Sequence, residues 1–499
     1  ALLRDARSLT EREVERASIR HGLGWFLTKA HMADLLARLR QGGPSPVHLR
    51  SAGPLNVYEW REGTGTGRRD SLDQEAARDV VDALRGGVVP ERHLELLAVG
   101  QEDVRGHLMG LLGHVENGRA EFKFVRGAYG AGKTFLCSWL KDQALASEFA
   151  ASTVRIGPDQ PLSELPVFFS GLIDGLRTPE KREASALADI LESWLLTIHR
   201  RTARLEGVDA QSPQARKRLA QLVEGRVAEE LAKLSDVDPG FGPALGAFYR
   251  ARLNGDHELA SAALSWIRGS RSIPSAILRR LGVRGHLTSD QVFPRMRALL
   301  QVIEGGRLRG LLLVLDELEL VRRFPHARQR ERAYETLRLL IDESGENALP
   351  GCLLICTGTD QLFEDDRFGL PSYRALAHRV APPQGTATHA SLRQPIIPLK
   401  SLDRDGLLAV ASRIRDIHAI AYDWPAAERI ATDLLERLVD QWTAFGDMRV
   451  GRLPRPVLRE VVNLLDLCEE HPEVPPEQYL KTPTGEGALA ESVLAVLDD

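Results

Sequence analysis

Residues 127–134 read Gly-Ala-Tyr-Gly-Ala-Gly-Lys-Thr, the G-x-x-x-x-G-K-T spacing of a phosphate-binding loop. The pattern acts as one only where a strand hands the chain to a helix. Both flanks meet that need: Phe122-Lys123-Phe124-Val125 reads as a short strand and Phe135–Leu140 opens an apolar helix. Gly127, Gly130 and Gly132 let the backbone curl so that successive N–H groups, Ala131 included, face an anion. The helix N-terminus adds its partial positive charge to the same anion. Lys133 is then expected to reach the β- and γ-phosphates of ATP and Thr134 to ligate Mg²⁺, with Phe135 closing the nucleotide-binding segment. The fold class that follows is α/β, a parallel sheet flanked by helices.

A magnesium–nucleotide site also needs an acid at the end of a neighbouring buried strand. Leu311-Leu312-Leu313-Val314-Leu315 is aliphatic throughout, as a strand covered on both faces must be, and it runs into Asp316 and Glu317. Asp316 is expected to support the metal and Glu317 to polarise the attacking water as general base. A core strand ending in two solvated acids is the plain alternative. Glu319 is either close to the site or simply exposed. A third strand, Cys352–Cys356, leads into Thr357-Gly358-Thr359, which places Thr357 or Thr359 where a polar residue would orient water between the two motifs. Thr-Gly-Thr also makes an ordinary turn.

Composition narrows the rest. The 499 residues are 43% apolar, enough for about three packed domains, and the net charge of −4 carries no global basic footprint. Cys137, Cys352, Cys356 and Cys468 lie inside apolar patterns without metal-ligand spacing, and read as buried, reduced thiols. No stretch reaches the ~20 apolar residues of a membrane span. The expectation is a cytoplasmic protein with no membrane partner.

Residues 1–63 read as a small α+β module: helices near Glu11–Ser18 and Lys29–Arg40, then strands at Val47–Arg50 and Asn56–Trp60. A winged helix fits that order, as do other small modules. Residues 64–72 form a Gly/Thr linker, 73–400 the P-loop domain, and 401–499 a helical lid. Inside the P-loop domain, helical stripes through Leu187–Ile198 and Leu219–Leu234 mark an insertion of about 160–300. Arg279, Arg280, Arg284, His286, Arg295 and Arg297 cluster there, as a solvated basic face or a surface for DNA phosphates. Arg367, Arg374 and Arg379 follow the third strand, where an arginine completing a neighbouring subunit's site is expected, and Arg455 opens a lid helix from which it would sense the γ-phosphate. A surface salt bridge or plain solvation is the alternative for each.

Two segments carry a resemblance: Leu96–Gly100, then Phe124–Phe135 with its Arg-Gly-Ala-Tyr-Gly-Ala-Gly-Lys-Thr-Phe form; Ser265-Trp266-Ile267-Arg268-Gly269 and Gly310–Glu319 extend it. The chain resembles AAA+-type ATPases of the origin-recognition and signalling-switch branch, and more narrowly the BrxD-like ATP-binding proteins of BREX-type phage-defence loci. The likeness covers roughly residues 75–480. It implies membership of a multi-gene defence system that blocks phage DNA replication while host DNA is methyl-marked, and no reaction beyond ATP binding and hydrolysis. The expectation built on the residues is a cytosolic AAA+-like ATPase whose nucleotide state controls assembly on DNA or on other defence-system proteins, with a homo-oligomer and duplex DNA as further partners. The rival readings are a slow ATP-gated switch or scaffold and an initiator-like DNA loader.

Overall fold

The aliphatic runs behind the phosphate loop and the acidic pair are strands of one sheet. A computed structural model of the chain describes residues 8–10, 47–52, 55–60, 72–205, 213–380, 391–444 and 454–480. The strands are β1 (Ser8–Thr10), β2 (Val47–Ala52), β3 (Leu55–Trp60), β4 (Glu121–Arg126), β5 (Ala150–Arg155), β6 (Leu311–Asp316), β7 (Cys352–Gly358) and β8 (Ile396–Pro398). The last five form a parallel sheet ordered β5-β6-β7-β4-β8. β7 therefore lies between the phosphate-loop strand and the acidic strand, as the order of motifs along the chain predicts. Every residue of β6 and β7 is buried, because helices cover both faces; an unbroken aliphatic run is the signature of that setting.

The helices are α1 (Gln74–Arg85), α2 (Glu102–Glu116) and α3 (Lys133–Ala146); in the insertion α4 (Leu165–Gly175), α5 (Leu187–Leu205), α6 (Pro213–Val237), α7 (Phe241–Asn254), α8 (His257–Arg268), α9 (Ser275–Leu281) and α10 (Val292–Gly305); then α11 (Ala327–Gly345), α12 (Asp360–Glu364), α13 (Arg374–Val380), α14 (Arg404–Tyr422), α15 (Ala426–Arg429), α16 (Thr432–Ala444) and α17 (Pro454–Glu470). On one sheet face Val125, Leu312, Val314, Leu353 and Ile355 share a core with Leu108 and Leu112 of α2 and Leu136 and Leu140 of α3. Phe124, Leu313 and Leu354, alternating with them, are buried as well. Each such aliphatic side chain contributes about 1.5–3 kcal/mol.

Lys123 is buried inside β4 without cost to hydrogen bonding. Its three N–H donors go to the carbonyls of Leu392, Arg393 and Gln394 at 3.0, 2.8 and 2.7 Å. Burial holds its pKa below the ordinary lysine value, against the pull of Glu121.

The lid has its own core, and α1 belongs to it. Ala77, Val80, Val81 and Leu84 pack with Leu407, Val410 and Ile414 of α14, Leu435 of α16 and Val461 and Leu465 of α17. The expected boundary at residue 401 is thus crossed by a helix from before the phosphate loop, because the apolar stripe of α1 finds its partner in the lid. Arg85 fastens the joint, giving Asp466 two hydrogen bonds of 2.8 Å each. Burial would raise the Asp466 pKa, but the bonds from Arg85 and His418 bring it down to about 2. Sheet and lid fall in one compact unit, Asp70–Glu164, Arg177–Glu180 and Gly310–Asp499; the other unit holds Ala1–Arg69, Leu165–Leu176 and Lys181–Arg309.

In the N-terminal region β3 pairs antiparallel with both β1 and β2. The expected helices at Glu11–Ser18 and Lys29–Arg40 and the linker run Gly63–Arg69 lie outside the described residues. The insertion's helices run from Leu165 to Gly305. One member of its supposed basic face does not belong there. Arg295 is 1% exposed; its Nε donates to Asp238 at 2.8 Å, and its guanidinium lies 3.9 Å from the centre of the Trp266 ring. It sits on the inward side of α10, among Met296, Leu299 and Ile303, so periodicity rather than charge decided its place. Arg280 is tied to Asp256. All four cysteines are free and buried. Among the described residues, no helix is long and apolar enough to cross a membrane.

Candidate nucleotide site

The parallel sheet brings the carboxyl ends of β4, β6 and β7 to one edge, where ligands bind in such folds. At the end of β4 the chain enters the phosphate loop. A side chain at Gly127 would lie 3.1 Å from the Leu399 carbonyl and from the Ala131 Cβ. Gly130 and Gly132 have φ of 76° and 91°, in the left-handed region that only glycine enters freely. Gly132 stands at the cap of α3 without a side-chain cap bond, so the first-turn N–H groups stay available to an anion.

Lys133 closes the loop on itself: its Nζ donates to the carbonyls of Gly127 and Ala128 at 2.9 and 3.0 Å. Burial lowers its pKa, against Glu319, Asp316 and Asp360, in that order. Those are the acids a phosphate-gripping lysine would meet at this edge. Phe135, one residue past Thr134, packs against both the sheet core and the lid core, so it joins the loop's helix to the lid.

At the end of β6, Asp316 is 5% exposed and accepts a short hydrogen bond from the Thr357 hydroxyl. The backbone N–H of Glu317 is shared between Asp316 Oδ1 and Thr357 Oγ1, at 3.1 Å each. This holds Glu317 at φ 61°, a left-handed conformation costly for a non-glycine residue. The role expected of Thr357 changes as a result: fully buried and already engaged, it positions Asp316 and the Glu317 backbone instead of reaching water. Thr359 caps α12.

One residue at this edge escaped the sequence. Arg155, at the end of β5, is in register with Asp316, and its Nε lies 3.5 Å from Glu317 Oε1. Of the two positions expected for Glu319, close to the site or simply exposed, the structure gives the first. Its Oε2 is buried without a hydrogen-bond partner, and burial pushes its pKa up, helped by Asp316 and Glu317 and opposed by its own backbone N–H and Lys133. The signal for Arg155 was a basic residue closing the neighbouring strand.

The arginines are not gathered here. Arg379 grips Asp342 of α11 with Nε and Nη2 and the Ala375 carbonyl with Nη1. Since α11 descends from the end of β6 toward the start of β7, that pairing lies toward the opposite edge of the sheet. Arg367 stacks on Phe368, and Arg374 and Arg455 are exposed. Among the described residues none of the four contacts Lys133, Asp316 or Glu317.

The donor set fits a magnesium nucleotide. Among the described residues no group of three or more His, Cys, Asp or Glu side chains could hold a metal alone. Mg²⁺ bound through phosphates and water needs only one or two side chains, and the orphaned Glu319 oxygen beside Lys133 marks a polar site suited to a charged ligand. No curated protein matches the chain. A family model described as "BREX system ATP-binding protein BrxC/D" matches residues 72–484, from α1 through the sheet, insertion and lid. The chain belongs to this family of ATP-binding proteins of the BREX phage-defence system.

Proposed function

We propose that the chain hydrolyses ATP as a nucleotide-controlled switch, its state governing assembly on duplex DNA or on other proteins of the defence system. The observation that carries this reading is the convergence of Lys133, the Thr357-supported Asp316 and Glu317 on one sheet edge. Lys133 and the N–H groups of residues 127–134 would hold the β- and γ-phosphates; Thr134 and Asp316 would hold Mg²⁺, which offsets phosphate charge when bound. Glu317 would take a proton from the water that attacks the γ-phosphorus, while the bond to the bridging oxygen breaks and ADP leaves. One of Arg367, Arg374 and Arg379, from another copy of the chain, and Arg455 of the lid would complete the site.

A second reading has its own support. Glu317 is paired with Arg155, which holds the carboxylate to β5. A chain that leaves Glu317 there after ATP binds would retain ATP and turn over rarely. Phosphate release by the wild type and Glu317→Gln, each with and without duplex DNA, separates the two. DNA-raised release that Glu317→Gln abolishes supports the ATPase. Bound ATP with no release from the wild type supports the slow switch, and release that survives Glu317→Gln removes Glu317 as the base.

A further inference from the structure

The stretch directly behind the acidic strand is the most basic short segment at the nucleotide edge. From Arg322 to Arg332 it holds five arginines and His326 against one acid, Glu331, in a chain whose net charge is −4. Two of the five are structural. Arg322 pairs with Asp365 and donates to Gln361, and Arg330 donates to the Phe324 carbonyl and stacks on Phe368. These bonds pin the turn Leu318–Arg323 and the start of α11. Arg323, Arg328 and Arg332 are exposed, and they have no ion pair or hydrogen bond among the described residues. Glu331, also exposed, pairs with neither of its arginine neighbours.

This arrangement works against the helix that carries it. The first turn of α11 contains no acid, and Arg328 there opposes the helix dipole. Arg328 and Arg332 are i and i+4, so two like charges stand side by side. Several other arginines in this unit are absorbed by acids: Arg85 by Asp466, Arg126 by Asp360 and Glu364, Arg338 by Glu335 and Asp342, Arg404 by Asp440. A local conflict maintained on a pinned backbone is the mark of a functional surface.

We infer that Arg323, Arg328 and Arg332 form a binding surface for the phosphate backbone of duplex DNA. The chemistry favours that occupant over an acidic protein. Guanidinium forks match phosphate oxygens bidentately, whereas the exposed residues between them, Pro325, His326 and Ala327, offer no aromatic or large aliphatic anchor of the kind that dominates protein interfaces. No planar side chain is available for base stacking beyond His326, so the surface reads charge and not sequence. It rests on the proposed function and names where that function would meet DNA. The surface is continuous with the turn that follows Glu317, which puts the DNA-facing arginines and the water-activating carboxylate on one rigid segment.

The test compares three proteins in binding a short dye-labelled duplex across a potassium chloride series. They are the wild type, Arg323→Ala/Arg328→Ala/Arg332→Ala, and a control of equal charge, Arg92→Ala/Arg119→Ala/Arg271→Ala. The first triple variant is expected to bind at least about tenfold more weakly and to lower the salt slope by about 2 to 3, roughly one unit for each phosphate no longer neutralised. The control should stay near the wild type, and both should melt with it, since all six side chains are exposed. Equal losses in the two variants, or no duplex binding by the wild type, overturn the inference. Two further results do so: polyglutamate competing as well as DNA of equal charge, which makes the occupant an acidic protein, or DNA-free phosphate release lost while duplex binding persists, which assigns the arginines to another copy's nucleotide. If no protein releases phosphate yet the patch dependence holds, the hydrolysis reading falls and this one stands.

Discussion

Two regions of the molecule bring opposite charges close together, and they treat them differently. In the insertion, Arg295 and Asp238 are 1% and 4% exposed, and the guanidinium is further occupied by the Trp266 carbonyl and ring. At the nucleotide edge, Lys133 is satisfied only by carbonyls of its own loop, Glu319 keeps an orphaned oxygen, and Glu317 reaches Arg155 across 3.5 Å. A closed set of partners serves the fold alone. An open set keeps charges poised for something that arrives later, and its cost to the nucleotide-free protein is part of its use.

The sharpest way to break this contrast is to cut the closed pair. Arg295→Ala leaves Asp238 buried and unpaired, and should lower stability by about 3–5 kcal/mol in denaturant titration. A loss below ~1 kcal/mol would mean that water reaches the pair. Lys133→Ala should do the reverse: little change in the nucleotide-free protein, but loss of the ~2.7 kcal/mol that ATP at a hundred times Kd adds to the wild type, read as a vanished ATP-dependent melting shift. Glu319→Gln should stabilise the nucleotide-free protein by about 1 kcal/mol, because it removes a buried negative charge while keeping the shape. The sign of its pH dependence follows from the raised pKa. The folded state holds the proton more tightly than the unfolded chain, so the wild type is least penalised below the ordinary value of about 4.3 and loses stability as pH rises through the folded value. The gap between variant and wild type should therefore widen above about pH 4 in parallel melts, and a flat gap would place Glu319 in water. The smallest effect is expected from Arg155→Ala. Freeing Glu317 from a largely exposed pair worth less than ~1 kcal/mol should raise ATP turnover roughly two- to fivefold. Lower turnover would give Arg155 a supporting role at the phosphates.

What the sequence made legible was local or compositional. The glycines at 130 and 132 announce their backbone angles and that at 127 a close approach, and the aliphatic runs of β6 and β7 announce burial on both faces. The polar residue at 357 could be placed between the two motifs from chain order alone, but its partner could not, because a buried hydroxyl is claimed by whichever carboxylate the register delivers. Arg155 was illegible for the same reason: it meets Glu317 only because β5 pairs with β6 across the whole insertion. Arg295 was misread because a charge among basic neighbours looks solvated, while its helical phase points inward. The unpaired arginines behind Glu317 were visible as a run, yet which of them were free depended on acids at 365 and carbonyls at 324.

Lys123 carries a consequence for how the sheet is assembled. Its three acceptors lie far downstream, Gln394 being 271 positions away, so the ammonium has nothing to hold until nearly the whole domain has been synthesised. A nascent chain would have to keep that charge hydrated at the rim of an unfinished sheet and withdraw it only when the segment before β8 arrives. β8 would then be the latch of the domain, its docking the step that dries the centre of β4. Because the entropy of closing a loop rises by only about 0.6 kcal/mol for each doubling of length, the latch would close almost as readily over a much longer or shorter insertion. The insertion is thus the part of this architecture most open to replacement, while the sheet stays the same.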